Sequence, residues 1–204
     1  MEKENISQKK TDSKVQITSI GIGLALLILS QLLLSFGYDF LMSQRPIDFA
    51  HWAMFFASLM LFGLWFTLPN SLTKRTGLII MTIGIGGIIG MCCIDFILWA
   101  ANDNTELKDQ IFQLISENVS IRIPFLILGP TLFYMGMGIA TYGLIKKHTW
   151  QVVILNTGLL MIGLGHMIFQ NRTIPVIGAI ILFFGLMSIL INGKAKKTKH
   201  NMRL

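Results

Sequence analysis

Apolar residues in this chain run in long, nearly unbroken blocks instead of at the alternating or one-sided spacing of water-soluble elements. Six blocks, at about 17–42, 49–68, 77–101, 123–145, 152–169 and 174–191, are separated by short polar turns. About 20 apolar residues in a helix cross roughly 30 Å of hydrocarbon, and a helix satisfies its own backbone there. The pattern predicts an all-α polytopic integral membrane protein, a six-transmembrane-helix bundle built as three helical hairpins. The third block, GLIIMTIGIGGIIGMCCIDFILWAA from Gly77 to Ala101, is expected at its centre. Its glycines Gly84, Gly86, Gly87 and Gly90 remove side-chain bulk, and the Gly86-xxx-Gly90 pair is the expected site of close approach by a neighbouring helix.

Residues 105–117 break this pattern. Leu107, Ile111, Leu114 and Ile115 recur at helical spacing while Glu106, Asp109 and Glu117 fall elsewhere, which predicts an amphipathic helix with Asn104 as its cap. Its acidic polar face suits a lid over the bundle mouth better than a helix lying on anionic lipid. Residues 1–14 and 193–204 are polar and basic and are expected to be cytoplasmic tails, the first of them disordered, so that the transmembrane domain occupies 15–192.

Composition agrees with the pattern. The 204 residues are 53% hydrophobic and only 13% charged, with a mean hydropathy of +0.65, whereas soluble domains carry roughly 25% charged residues. A water-soluble core is excluded, and six spans leave little length for a separate catalytic domain. The net charge of +7 sits at span ends. Thirteen of the 17 lysines and arginines lie with the termini and the turns after spans two and four; only Arg45, Lys108, Arg122 and Arg172 lie on the other side. The positive-inside rule then places both termini in the cytoplasm. This distribution answers to lipid and topology, so nucleic acid is not an expected partner. A Lys-, Ile- and Asn-rich composition points to a bacterial cytoplasmic membrane, with a multi-pass cell-membrane location.

Charged or titratable groups inside a span cost about 3 kcal/mol on insertion scales and therefore mark candidate sites. Asp39, Asp95 and His166 are expected in the outer half of the bundle, with His51 opening span two on the same side. Arg45, Arg122 and Arg172, each close to a proline, are expected to rim the mouth, with Tyr38, Trp52, Phe96, Trp99 and Tyr134 as aromatic walls. Candidate ligand-binding residues are therefore Asp39, Asp95, His166, Arg45, Arg122, Arg172, His51 and Tyr134. The recurring Arg and Pro also suggest a threefold repeat in which Asp39, Asp95 and His166 are equivalent. The expected activity is to bind, sense or transport a small or lipid-like ligand, anionic or amphipathic, through an outer-leaflet polar pocket. One alternative is an intramembrane hydrolase with zinc held by Asp39, Asp95 and His166, although no HExxH or paired-His spacing supports it and no cofactor is the primary expectation. The other is a non-catalytic structural subunit whose partner is another membrane protein or a second copy of the chain. Cys92 and Cys93 are adjacent in a helix, about 100° apart, so no disulfide joins them.

Overall fold

The computed structural model describes residues 2–167 and 171–201, with side chains for 14–166 and 171–192. Every regular element is helical. Helix α1 spans Glu2–Ser35, and α2 is a short helical turn at Tyr38–Ser43. Helices α3 (Phe49–Leu61) and α4 (Leu64–Thr67) run on from one another, followed by α5 (Leu72–Ala100). A connecting segment holds α6 (Thr105–Glu117) and α7 (Val119–Ile121), and the chain returns through a π-helical stretch, Arg122–Leu128, into α8 (Gly129–Tyr142). Helices α9 (Thr149–Met167) and α10 (Thr173–Asn201) complete the fold.

Among the described residues five segments are long and apolar enough to cross a membrane: Lys14–Ser35, Phe49–Thr67, Leu72–Ala100, Val119–Tyr142 and Thr173–Asn192. The stretch expected as the fifth span is α9, a 19-residue helix in which Gln151, Asn156 and His166 interrupt the apolar run. Its expected end at 168–169 lies outside the described residues. The flanking segments differ from expectation, because α1 begins at Glu2 and α10 continues to Asn201. Both apolar helices carry on into their polar neighbours instead of giving way to separate tails.

The helices close a ring in chain order: α1 packs on α3, α3 on α5, α5 on α8, α8 on α9, α9 on α10, and α10 back on α1. The most extensive pairings are α5 with α8, α9 with α10, and α1 with α3, the three expected hairpins. Leu24, Leu27, Leu61, Met81, Phe133, Leu155, Ile162 and Leu186 are among the side chains buried between them.

Close approach of α5 and α8 uses a different face from the one expected. A methyl group built on Gly84 would lie 2.2 Å from the Phe133 nitrogen, and one on Gly87 would lie 2.3 Å from the Gly129 Cα. Gly77 meets Ala140 in the same way, so the seam follows Gly77, Gly84 and Gly87, spaced seven and three residues apart on one face. Gly86 is one residue, or about 100°, away from Gly87. It faces outward with nothing within 4 Å of an added carbon, and Gly90 meets the Phe125 ring instead.

Span one also ends earlier than its apolar block. The helix stops at Ser35, and Gly37, at φ 100°, turns the chain into α2, so Asp39 stands on an exposed outer turn rather than inside a span. The Arg172 guanidinium, the movable end of an exposed side chain, lies against Gly37. Gly37→Ala puts a side chain at positive φ and is expected to lower stability by about 1–3 kcal/mol in detergent unfolding; an unchanged unfolding midpoint would contradict the assignment.

Span four departs from a simple proline bend. Pro130 sits in the first turn of α8, and the outer part widens into the π-helical stretch, where the Gly129 N–H reaches back five residues to the Pro124 carbonyl. The Thr131 hydroxyl donates to the Ile127 carbonyl at 2.7 Å, satisfying a backbone acceptor at this junction. Helix α6 forms over the expected residues, and the Asn104 side chain accepts from the Leu107 N–H at 3.1 Å. It does not close the bundle as a lid. Ile115 is its one buried residue, while Leu107, Phe112 and Leu114 remain exposed.

Candidate functional site

The most strongly connected polar cluster begins with Asp48, the residue that caps α3. One carboxylate oxygen accepts from the His51 backbone N–H at 3.1 Å, and the other lies 2.5 Å from His51 Nδ1. An aspartate at the cap and a histidine three residues later, on the first turn, face the same side of the helix, so the capping bond also aims the imidazole. On the opposite edge of the ring, Nε2 lies 3.2 Å from the Asp95 carboxylate of α5. The result is an Asp48–His51–Asp95 chain. Asp48 is completely buried, His51 nearly so, and Asp95 keeps about a quarter of its side chain accessible.

The connecting loop is held to the end of α5. Gln44 accepts from the Phe49 N–H at 2.7 Å, and the Trp99 indole N–H donates to the Gln44 carbonyl at 3.1 Å. Gln44 Nε2 is buried and lacks a partner. Arg45 pairs with Asp103 at 3.1 Å and lies over the Trp99 ring, with its guanidinium also donating to the Met42 and Gln44 carbonyls.

Inside the ring of helices lies a cavity of about 790 Å³. His51 of α3, Gln31 of α1, Tyr134 of α8, and Asn156 and His166 of α9 supply polar atoms to a lining that is otherwise mostly aliphatic. His166 Nε2 is 2.8 Å from the Gln31 side-chain oxygen, and the Asn156 amide donates to the Val152 carbonyl at 2.8 Å. The cavity is elongated: its α8 wall runs from Pro130 to Tyr142, about 18 Å of helix at 1.5 Å per residue. It opens sideways. Met135 and Tyr142 on α8, and Leu160 and Leu164 on α9, both line it and are exposed on the outer surface of the bundle. The contact between α8 and α9 is thin beside the one each makes with its hairpin partner.

Of the residues singled out from the sequence, His51 and Asp95 are brought together, and His51, Tyr134 and His166 share the cavity. The others are not gathered. Asp39 is exposed on α2; Arg45 is engaged outside with Asp103 and Trp99; Arg122 is exposed at the start of the π-helical stretch; and Arg172 is exposed beside Gly37. The cavity therefore has no arginine rim. Asp39, Asp95 and His166 occupy three different settings, which removes their expected equivalence and their use as one zinc-ligand set. No group of three or more His, Cys, Asp or Glu side chains among the described residues is arranged to hold a metal. Of the expected aromatic walls, only Tyr134 lines the cavity; Trp52 stacks on Phe96 with centroids 4.7 Å apart.

Sequence reasoning missed Asp48 and undervalued Gln31. The Asp-x-x-His spacing ahead of an apolar block was the available sign of Asp48, since a capping aspartate places its carboxylate over the first turn. Family models, curated proteins and solved structures were all compared with this chain, and none matches it.

Proposed function

We propose that the chain is a multi-pass cell-membrane protein that binds a lipid-like amphiphile within its ring of helices. The observation that carries this reading is the elongated, largely apolar cavity with hydrogen-bonding groups at separate places along it and a sideways opening between α8 and α9. A preformed cavity of this size, mostly aliphatic with a few polar atoms, is the usual character of a small-molecule site. Its length exceeds half of a 30 Å hydrocarbon core, which suits an extended chain. The polar lining offers neutral hydrogen-bonding groups and imidazoles instead of guanidinium groups, so a hydroxyl-, amide- or carbonyl-bearing head fits better than a phosphate. In this reading α9 is the fifth of six spans, and the basic residues keep both termini cytoplasmic. The hydrolase alternative gains little support, because Asp39, Asp95 and His166, its candidate zinc ligands, are not gathered into one ligand set among the described residues.

Gly163 provides the test. It lines the cavity, and an added Cβ there meets nothing within 4 Å, so a large side chain enters open space without displacing backbone. Native mass spectrometry of protein released from mild detergent is expected to show a co-purifying lipid-like mass on the wild type. Gly163→Trp is expected to lose at least 90% of it, about 1.4 kcal/mol or more of binding free energy, with its thermal unfolding unchanged. Equal retention by both proteins would place the bound molecule elsewhere.

A further inference from the structure

The His51 ring has a carboxylate on each side, and this fixes a proton count. The Asp48 contact at 2.5 Å is a hydrogen bond and requires a proton, because two facing lone pairs repel. Asp95 lies 3.2 Å from Nε2 at ion-pair distance, outside hydrogen-bond alignment, and its charge draws a second proton to the pair. Either both ring nitrogens are protonated, or Nδ1 holds one proton and the Asp95 carboxyl the other. Both arrangements give the three side chains one net negative charge.

The two carboxylates are held differently. Asp48 is immobilised by capping α3 and by complete burial. Asp95 has a single polar contact, the longer one, and is partly accessible. Around them, α5 also brings Cys92, one turn before Asp95; Tyr134 of α8 and His166 of α9 line the cavity that His51 faces, and His166 is bound to Gln31 of α1. Among the described residues no lysine or arginine pairs with Asp48 or Asp95.

We propose that Asp48, His51 and Asp95 form a proton-exchange site buried in the bundle, which gives up and regains one proton at the His51–Asp95 contact. On release, the N–H bond at Nε2 (or the O–H bond of Asp95) breaks, its electron pair stays on that atom, and the proton leaves by the cavity. Nδ1 keeps its proton on Asp48. The Nε2 lone pair then faces an ionised Asp95, the contact becomes repulsive, and Asp95 turns away. Nε2 becomes a free acceptor at the cavity wall, and the net charge of the group goes from one negative to two. Uptake of a proton reverses each step. The site thus alternates between a closed state, with Nε2 on Asp95, and an open one able to accept from a ligand hydroxyl or amide. It rests on the placement of two carboxylates about one buried imidazole and stands whether or not a lipid-like molecule fills the cavity.

The experiment is a pH titration of the full chain, labelled with ¹⁵N-histidine, in phosphatidylcholine nanodiscs. Nitrogen chemical shifts separate protonated from bare ring positions, and the His51 signals are assigned by their loss in His51→Gln. One reversible step is expected at Nε2 while Nδ1 stays protonated. Asp95→Asn is expected to move that step by about tenfold or more in proton concentration, since an adjacent full charge is removed, whereas His166→Gln leaves it in place. A ring whose two nitrogens keep the same state from mildly acid to mildly alkaline solution overturns the proposal, as do equal shifts in the two variants. The wild-type titration decides the matter even where Asp95→Asn fails to fold.

Discussion

Gly84→Leu is expected to destroy the α5–α8 hairpin, with a loss of at least about 3 kcal/mol in detergent unfolding. Overpacking a core costs about 1–3 kcal/mol when side chains can shift, and more when backbone must move. Here the first added carbon lies 2.2 Å from the Phe133 nitrogen and 2.5 Å from its Cα, so no rotamer change relieves the clash. The helices have to separate along a seam that also includes Gly77 and Gly87. Gly86→Leu is the matching control: two residues away, it faces open space and is expected to leave the unfolding midpoint nearly unchanged. The comparison is sharp because both glycines share one helix and one GxGG run. Equal stabilities for the two variants would show that the α5–α8 packing is not as described.

His51→Ala is expected to have the second-largest effect. Removing one partner of a buried ionic contact costs about 3–5 kcal/mol, chiefly because the other charge is left without compensation. Asp48 would be left with no side-chain partner in a site where its carboxylate has no access to solvent, and Asp95 would lose its one polar contact. Asp48→Asn with His51→Gln replaces the charge by neutral hydrogen-bonding groups of similar shape and is expected to recover more than half of the loss. A double-mutant cycle on Asp48 and His51 measures this coupling directly. A cost below about 1 kcal/mol for His51→Ala, or a double variant no better than the single, would mean that the carboxylates are satisfied without the imidazole. These experiments read stability, whereas the nitrogen titration reads proton position, so the structural and proton-carrying roles of the same ring are measured apart.

His51 belongs both to the cavity wall and to the carboxylate cluster, so the two proposals meet there: a bound amphiphile would find a head-group acceptor whose availability depends on one proton. A histidine here also fills the cavity wall and holds two carboxylates, one of which caps α3, functions that no aliphatic residue performs. Arg45, Arg122 and Arg172, which look functional by charge alone, belong to the outer surface. There Arg45 ties the α2–α3 loop to the end of α5 through Asp103 and Trp99.

The chain's own pattern determined that it is helical, apolar enough to cross a membrane several times, and organised as three sequential hairpins. The first two follow from local quantities, block length and block hydropathy; the pairing follows from chain order, with short turns in the first and third hairpins and the longer α6–α7 connection in the middle one. The amphipathic α6 and its Asn104 cap were legible for the same reason, since a cap and a helical period act within one or two turns. Tertiary structure alone decided which glycines make contact, because Gly86 and Gly87 differ only by rotation about the helix axis, and that rotation is set by the partner. It also decided that Asp39 lies outside the bundle, through the backbone turn at Gly37, and that His166 meets Gln31, 135 positions away in the chain. The pairing of His51 with Asp95 belongs to the same class. Their separation is bridged by packing of α3 on α5, and only that packing brings two isolated titratable residues to within 3.2 Å of one another.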